Sequence, residues 1–127
     1  MAGYPGLLLR IICSAKDPAM GPGKARLVAL IADSGSISAA ARKMGMSYRR
    51  AWQLVEAMNK SFAEPLVVTE VGGKRGGGAA VTALGKRLVR LYRAMENKAS
   101  SAIAADLRRY SKHLRKSSGG RAVRRPG

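Results

Sequence analysis

The sequence contains little that could support catalysis, a metal site or a disulfide. Its 127 residues include one cysteine, one histidine and only seven acidic residues. A lone cysteine excludes an internal disulfide, and one cysteine with one histidine is too small a set for a zinc site. The sequence offers no cluster of histidine and carboxylate, and no visible pairing of serine with a base. We therefore expect a protein of a reducing cytoplasm that is not an enzyme and that needs no cofactor and no metal.

Long apolar runs are absent as well. A membrane-spanning helix needs about 20 consecutive apolar residues, and the sequence has no such run. Residues 6–13 are apolar, but Arg10 interrupts them and no positive charge precedes them. This pattern favours an opening β-strand over an export signal, so we expect no membrane partner.

Positive charge is what the sequence has in excess. It carries 24 Lys and Arg against seven Asp and Glu, a formal net charge of +17. A domain this basic usually binds a polyanion. With 127 residues, 46% of them hydrophobic, the chain has room for one domain with its own core.

Three amphipathic segments predict three short helices. The first spans about residues 22–32, and the second is capped by Ser36 and ends at Gly45. Ser47 caps the third, which Pro65 closes. The small residues Ala40 and Ala41 allow the second and third helices to cross closely, as in a helix-turn-helix. The residues expected to face inward from the third helix are Ala51, Leu54, Val55 and Met58.

Two short valine-containing runs, residues 66–71 and 79–82, flank a glycine-rich bend and predict a β-hairpin. The bend carries Lys74 and Arg75, which gives the hairpin a positively charged tip. Its glycines do not match a phosphate-binding loop, because no Gly-Lys-Ser/Thr follows a spaced first glycine. A helix-turn-helix followed by such a hairpin is typical of a winged helix-turn-helix, mainly α with a small β-hairpin.

A long C-terminal helix, capped by Thr82, is predicted over about residues 82–114, the end of a domain spanning 1–114. Its apolar heptad seam indicates a dimer interface between two copies of the chain. The seam loses phase in residues 97–101, where the helix either continues with a bend or breaks, and we favour continuation. Residues 115–127 are basic and rich in Ser and Gly, which predicts a disordered tail. The seam consists of Leu84, Leu88, Leu91 and Met95.

The exposed start of the third helix is the candidate for base recognition. Arg pairs with guanine and Gln with adenine in the major groove. Arg49 and Arg50 oppose the helix dipole, which DNA phosphate would compensate, although a solvated helix start is the alternative. Trp52 could pack under the hairpin or lie against the DNA backbone, and its size favours the core. The candidate residues on this helix are Ser47, Tyr48, Arg49, Arg50 and Gln53.

Four segments carry a family resemblance, namely residues 35–41, 46–52, 72–78 and 82–85. Together they closely resemble the N-terminal DNA-binding domain of the ModE family of molybdate-responsive transcriptional regulators, over about residues 21–96. The resemblance implies a LysR-like winged helix and a homodimer on an inverted-repeat operator in double-stranded DNA, often upstream of molybdate transport genes. It assigns DNA contact to Ser36, Ser47, Tyr48, Arg49, Arg50, Lys74 and Arg75, whereas Gln53 comes from helix geometry alone.

Full-length members of that family continue into molybdate-binding domains, whereas this sequence ends at Gly127 in basic residues. We therefore expect a stand-alone DNA-binding form, a form that acts with a separate molybdate-binding partner, or a regulator of genes unrelated to molybdenum. The high charge leaves one alternative of a different class, a nucleoid-type architectural protein that coats DNA with little sequence preference.

Overall fold

The fold is a winged helix-turn-helix with a long C-terminal helix, as predicted. The computed structural model describes residues 6–13, 18–70 and 78–115. Within these ranges it contains five helices and two small antiparallel sheets. The helices are α1 (Pro22–Ser34), α2 (Ile37–Met44), α3 (Tyr48–Ser61), α4 (Ala83–Ala102) and α5 (Ala104–Ser111). The strands are β1 (Ile11–Ile12), β2 (Pro18–Met20), β3 (Val67–Glu70) and β4 (Gly78–Val81).

Local sequence determines where α2 and α3 begin and where α1 and α2 end. The Ser36 hydroxyl accepts a hydrogen bond from the Ala39 amide at 3.1 Å, and the Ser47 hydroxyl accepts one from the Arg50 amide at 3.0 Å. Both are the N-caps predicted from sequence. Helix α1 ends at Gly35 and α2 at Gly45, each with φ of +69°, a left-handed conformation that favours glycine.

The core lies where α1, α2 and α3 meet the hairpin and α4. The core residues of each helix recur on one face of that helix, and each strand of the hairpin contributes its inward-facing residues. Among the largest fully buried side chains are Met20, Leu27, Ile31, Ile37, Met58, Leu66 and Tyr92.

The hairpin of β3 and β4 forms the wing. Its register pairs Val67 with Val81, and both side chains point into the core. Strand β4 is also joined to the turn between α1 and α2, because the Ala79 amide donates to the Gly35 carbonyl at 2.9 Å. The predicted cationic tip, with Lys74 and Arg75, belongs to residues 71–77 and lies outside the described residues.

The N-terminal segment departs from the prediction. The expected strand over residues 6–13 is reduced to β1, and it pairs with β2 in a stretch that the sequence predicted as loop. Pro18 suggested a loop, but proline is tolerated at the first position of an edge strand. Ala19 and Met20, which follow it, are buried and drive the pairing.

The C-terminal helix is continuous through residues 97–101, as predicted, but it is interrupted at Ile103. The Ile103 backbone has φ of −102° and ψ of 5°, outside the helical range, and α5 begins after it. Ser100 and Ser101 lie three and two residues before Ile103, and serine pairs are a common site of helix kinks. No helix in the described part of the chain is long and apolar enough to cross a membrane. The predicted tail falls almost entirely on residues 116–127, outside the described ranges.

Tyr92 attaches α4 to the N-terminal segment. Its side chain is fully buried, and its hydroxyl donates a hydrogen bond to the Leu9 carbonyl at 2.6 Å. Burial and the nearby Glu96 carboxylate raise the pKa of Tyr92 to about 12. The phenol therefore keeps its proton in the folded state at pH values where an unfolded tyrosine has lost it.

We expect the stability of the protein to fall between about pH 10 and pH 12 because of Tyr92. The raised pKa means that the unfolded chain releases this proton first, so the contribution is complete below pH 10 and is lost as the pH rises to about 12. Tyr92→Phe should cost about 0.5–1.5 kcal/mol at pH 8, through the lost hydrogen bond, and should show a weaker decline at high pH. Urea denaturation of both proteins from pH 8 to pH 12 measures this. If the free energy of unfolding fell with pH in parallel for the two proteins, the raised pKa of Tyr92 would be contradicted, because the lysines contribute equally to both proteins.

Candidate nucleic-acid interface

Helix α3 is held by its inner face and by the turn before it. Ala51 and Met58 are completely buried, and the Met46 amide donates to the Ala41 carbonyl at 3.0 Å across the turn. The side chains on the opposite face of α3 therefore have no part in packing the core. This leaves the face free to contact a ligand.

Asn59 joins α3 to the wing, a role that sequence reasoning missed. Its side-chain amide donates to the Val67 carbonyl at 2.9 Å, and its oxygen accepts from the Leu66 and Val67 amides at 2.8 and 3.2 Å. The three bonds fix the start of β3 against the last turns of α3. Helix α3 and the wing are thus joined directly by a side chain. The only signal in the sequence was a polar residue directly after the buried Met58.

The outer face of α3 forms an open groove of about 510 Å³. The side chains of Tyr48 and Trp52 in this groove are 52% and 42% exposed. The prediction that Trp52 packs in the core is therefore wrong, because the space beneath the wing is taken by residues such as Leu66 and Val67. The groove is lined by Tyr48, Arg49, Trp52, Gln53 and Glu56.

The groove and its surroundings are positively charged at the N-terminal end of α3. No acidic residue occurs between Asp33 and Glu56. Glu56 itself lies 3.5 Å from Lys60, one turn further along α3. In the described part of the chain no ion pair involves Arg49 or Arg50, and both are exposed. The exposed basic residues of α2 and α3 are Arg42, Lys43, Arg49, Arg50 and Lys60. The resulting field attracts an anion, and the dipole at the helix N-terminus adds to it.

The structure brings Tyr48, Arg49 and Gln53 together in the groove, whereas Lys74 and Arg75 lie outside the described residues. Arg50 is exposed but does not line the groove. Ser36 and Ser47 serve as helix caps, so their oxygens are engaged while each hydroxyl still carries a proton that can be donated.

The four residues of the predicted dimer seam on α4 lie in two different environments. Leu84 and Leu88 are half-buried and pack against the core of their own chain. Leu91 is 52% exposed, and Met95 is half-buried. Tyr92 lies outside the heptad pattern, yet its side chain is the one that α4 buries completely, in addition to the buried backbone of Gly85.

Comparison with known proteins agrees with this geometry. Residues 23–86 match the family model of the bacterial regulatory helix-turn-helix proteins of the LysR family. The chain is 49% identical to the molybdenum-pterin-binding protein MopB of Rhodobacter capsulatus over 77 residues, 61% of this chain and 28% of MopB. It is 45% identical to the DNA-binding transcriptional dual regulator ModE of Escherichia coli K12 over 71 residues, 56% of this chain and 27% of that protein.

Among solved structures, full-length LysG, a LysR-type regulator from Corynebacterium glutamicum with bound effector Arg, matches with a TM-score of 0.51 and 25% identity. The match covers 73% of this chain and 30% of LysG. The chain thus spans about a third of the length of the curated relatives it matches. The family model covers half of the sequence, from the start of α1 into α4. The chain belongs to the LysR family of bacterial regulatory helix-turn-helix proteins.

Proposed function

We propose that the chain is a ModE-like, sequence-specific transcriptional regulator that binds an inverted-repeat operator as a homodimer in the cytoplasm. The observation that carries the proposal is the outer face of α3, where Arg49 and Gln53 are exposed beside each other and have no partner in the described part of the chain. Arg can form two hydrogen bonds with guanine and Gln two with adenine.

The remaining predicted contacts supplement this face. Ser47 and Arg50 at the start of α3 and Ser36 at the start of α2 would supply donors for phosphate, and Lys74 and Arg75 of the predicted wing tip would supply charge. Phosphate contacts position the protein and do not select a sequence. Recognition of bases therefore depends on Tyr48, Arg49 and Gln53.

Pairing of the α4 seams would place two copies of α3 in successive major grooves, about 34 Å apart. An operator of two inverted half-sites follows from that symmetry. The relatives' names connect them with molybdenum and its pterin cofactor. We propose a separate molybdate-binding partner as the source of any such signal.

The test is selection of duplexes from a random library, followed by competition of the selected duplex against bulk DNA at physiological salt. A specific regulator should prefer its selected duplex by about 10³-fold or more. If the affinities for the selected duplex and for bulk DNA were nearly equal, the alternative would be favoured, an architectural protein that binds through its net charge of +17.

Arg49→Ala is expected to weaken binding to the selected duplex by about 1–3 kcal/mol and to relax the base preference at one position. The loss follows from removal of a guanidinium that can form two hydrogen bonds with one base. Fluorescence anisotropy with the selected duplex and with each single-base variant of it measures both effects.

Lys74→Ala is the control for Arg49→Ala. As a predicted phosphate contact it should weaken binding to selected and random duplexes alike and should reduce the dependence on salt. Equal losses on both duplexes for Arg49→Ala would show that Arg49 also contacts only phosphate.

A further inference from the structure

An exposed indole lines the groove on the outer side of α3. Trp52 is the only tryptophan in the sequence and is 42% exposed, although its neighbours Ala51 and Val55 are buried. When a partner covers a large aromatic ring in such a position, the burial of its apolar surface favours binding. The exposed ring therefore points to a ligand surface with an apolar component.

Tyr48 extends the apolar surface beside the polar donors. It precedes Trp52 by four residues, so the two rings are neighbours along one side of α3. Both line the groove that also contains Arg49 and Gln53. The groove thus combines an aromatic strip with a strip of hydrogen-bond donors, so that a ligand bound there would contact both.

The major groove of DNA has one apolar group that matches this arrangement. Base edges there offer hydrogen-bond donors and acceptors, and thymine alone adds a methyl group at C5. Adenine, the base that suits Gln53, pairs with thymine, which brings a methyl group into the same base pair. Phosphate oxygens are charged and would gain little from contact with an indole face.

We propose that Trp52 is a specificity-determining residue that contacts the C5-methyl group of a thymine in each half-site. This inference rests on the proposed function and adds the base that the aromatic strip recognises. It also means that the protein distinguishes thymine from uracil at one position, although both form the same hydrogen bonds with adenine.

The experiment replaces each thymine of the selected duplex by uracil, one at a time, which removes only the methyl group. For the wild-type protein, at least one replacement in each half-site should raise Kd by about three- to ten-fold, as expected for one buried methyl contact. Trp52→Ala should bind the thymine and uracil duplexes equally. Because Trp52 is the only tryptophan, quenching of its emission should be stronger with the thymine duplex than with the uracil duplex.

Gln53→Ala is the matched control, since Gln53 is the adjacent exposed residue of the same groove. It should lose affinity for both duplexes and keep the wild-type ratio between them. Trp52→Leu, an apolar replacement, should retain part of that ratio, and circular dichroism should show that all variants are folded.

The inference is overturned if no thymine is sensitive to replacement, or if Trp52→Ala keeps the wild-type ratio. The second result would mean that the indole contacts the sugar–phosphate backbone or a protein partner. In both cases recovery of a selected duplex still supports sequence-specific binding. Failure of the selection to recover any sequence would overturn the proposed function as well.

Discussion

Leu91→Asp is expected to convert the proposed dimer into a monomer and to lower its affinity for the proposed inverted-repeat duplex by about 10²–10⁴-fold. Leu91 is the most exposed leucine of the predicted seam, at 52%, so a charged residue there should not disturb the core of its own chain. In a dimer the same position would be covered, and an unpaired carboxylate inside the interface would oppose association. The loss of affinity follows because two linked half-sites bind far more tightly than one.

Asn97→Asp is the matched control for this prediction. Asn97 is an exposed residue of α4 that lies six residues beyond Leu91, on a different side of the helix, and its replacement changes the net charge by the same amount. It should leave the dimer intact and reduce DNA binding only slightly, through charge. Sedimentation and titration of both variants with the selected duplex separate the effects. A dimeric Leu91→Asp protein with normal operator binding would show that the interface lies elsewhere.

Gly85→Ala is expected to destabilise the fold by about 3 kcal/mol, a large part of the 5–15 kcal/mol that holds a typical domain together. A Cβ at this position would lie 2.5 Å from the Leu66 carbonyl oxygen and 2.8 Å from Val81 Cγ1. The carbonyl cannot retreat easily, because it accepts hydrogen bonds from the Thr82 amide at 2.9 Å and the Thr82 hydroxyl at 3.3 Å. The close approach of α4 to β3 therefore requires glycine.

Gly23→Ala provides the comparison, since a Cβ there meets nothing within 4 Å. Gly23 lies in the first turn of α1, where alanine should raise stability by up to about 1 kcal/mol. Thermal and urea unfolding of the two variants should therefore move in opposite directions. A Gly85→Ala protein as stable as the wild type would mean that α4 can shift away from β3 at little cost.

The elements predicted most accurately from sequence are those whose signals are local. Ser36, Ser47 and Thr82 are caps because each side chain accepts a hydrogen bond from the amide three residues beyond it. Gly45 marks the turn because few other residues adopt a positive φ. The same local rules gave the exposed positions Tyr48, Arg49 and Gln53 of the candidate site.

The features that the sequence did not reveal depend on contacts between distant segments. The bond between Tyr92 and Leu9 joins residues 83 positions apart, and the pairing of β1 with β2 depends on burial of Met20. Periodicity alone could not place Trp52, because position 52 lies at the border between the covered and open faces of α3. The interruption of the C-terminal helix consists of one residue, Ile103, and a heptad pattern cannot locate a break that short.

The cap at the start of α3 has a consequence for how this regulator could evolve. Ser47 bonds to the backbone amide of residue 50, and Asn59 bonds to backbone groups of β3, so neither uses the side chain of any groove residue. Under the proposed function, exchanges at positions 49, 52 and 53 would therefore change the target sequence and leave these scaffold bonds intact. Paralogues with new operators, or variants designed for chosen promoters, can arise by drift at three positions without repair mutations elsewhere.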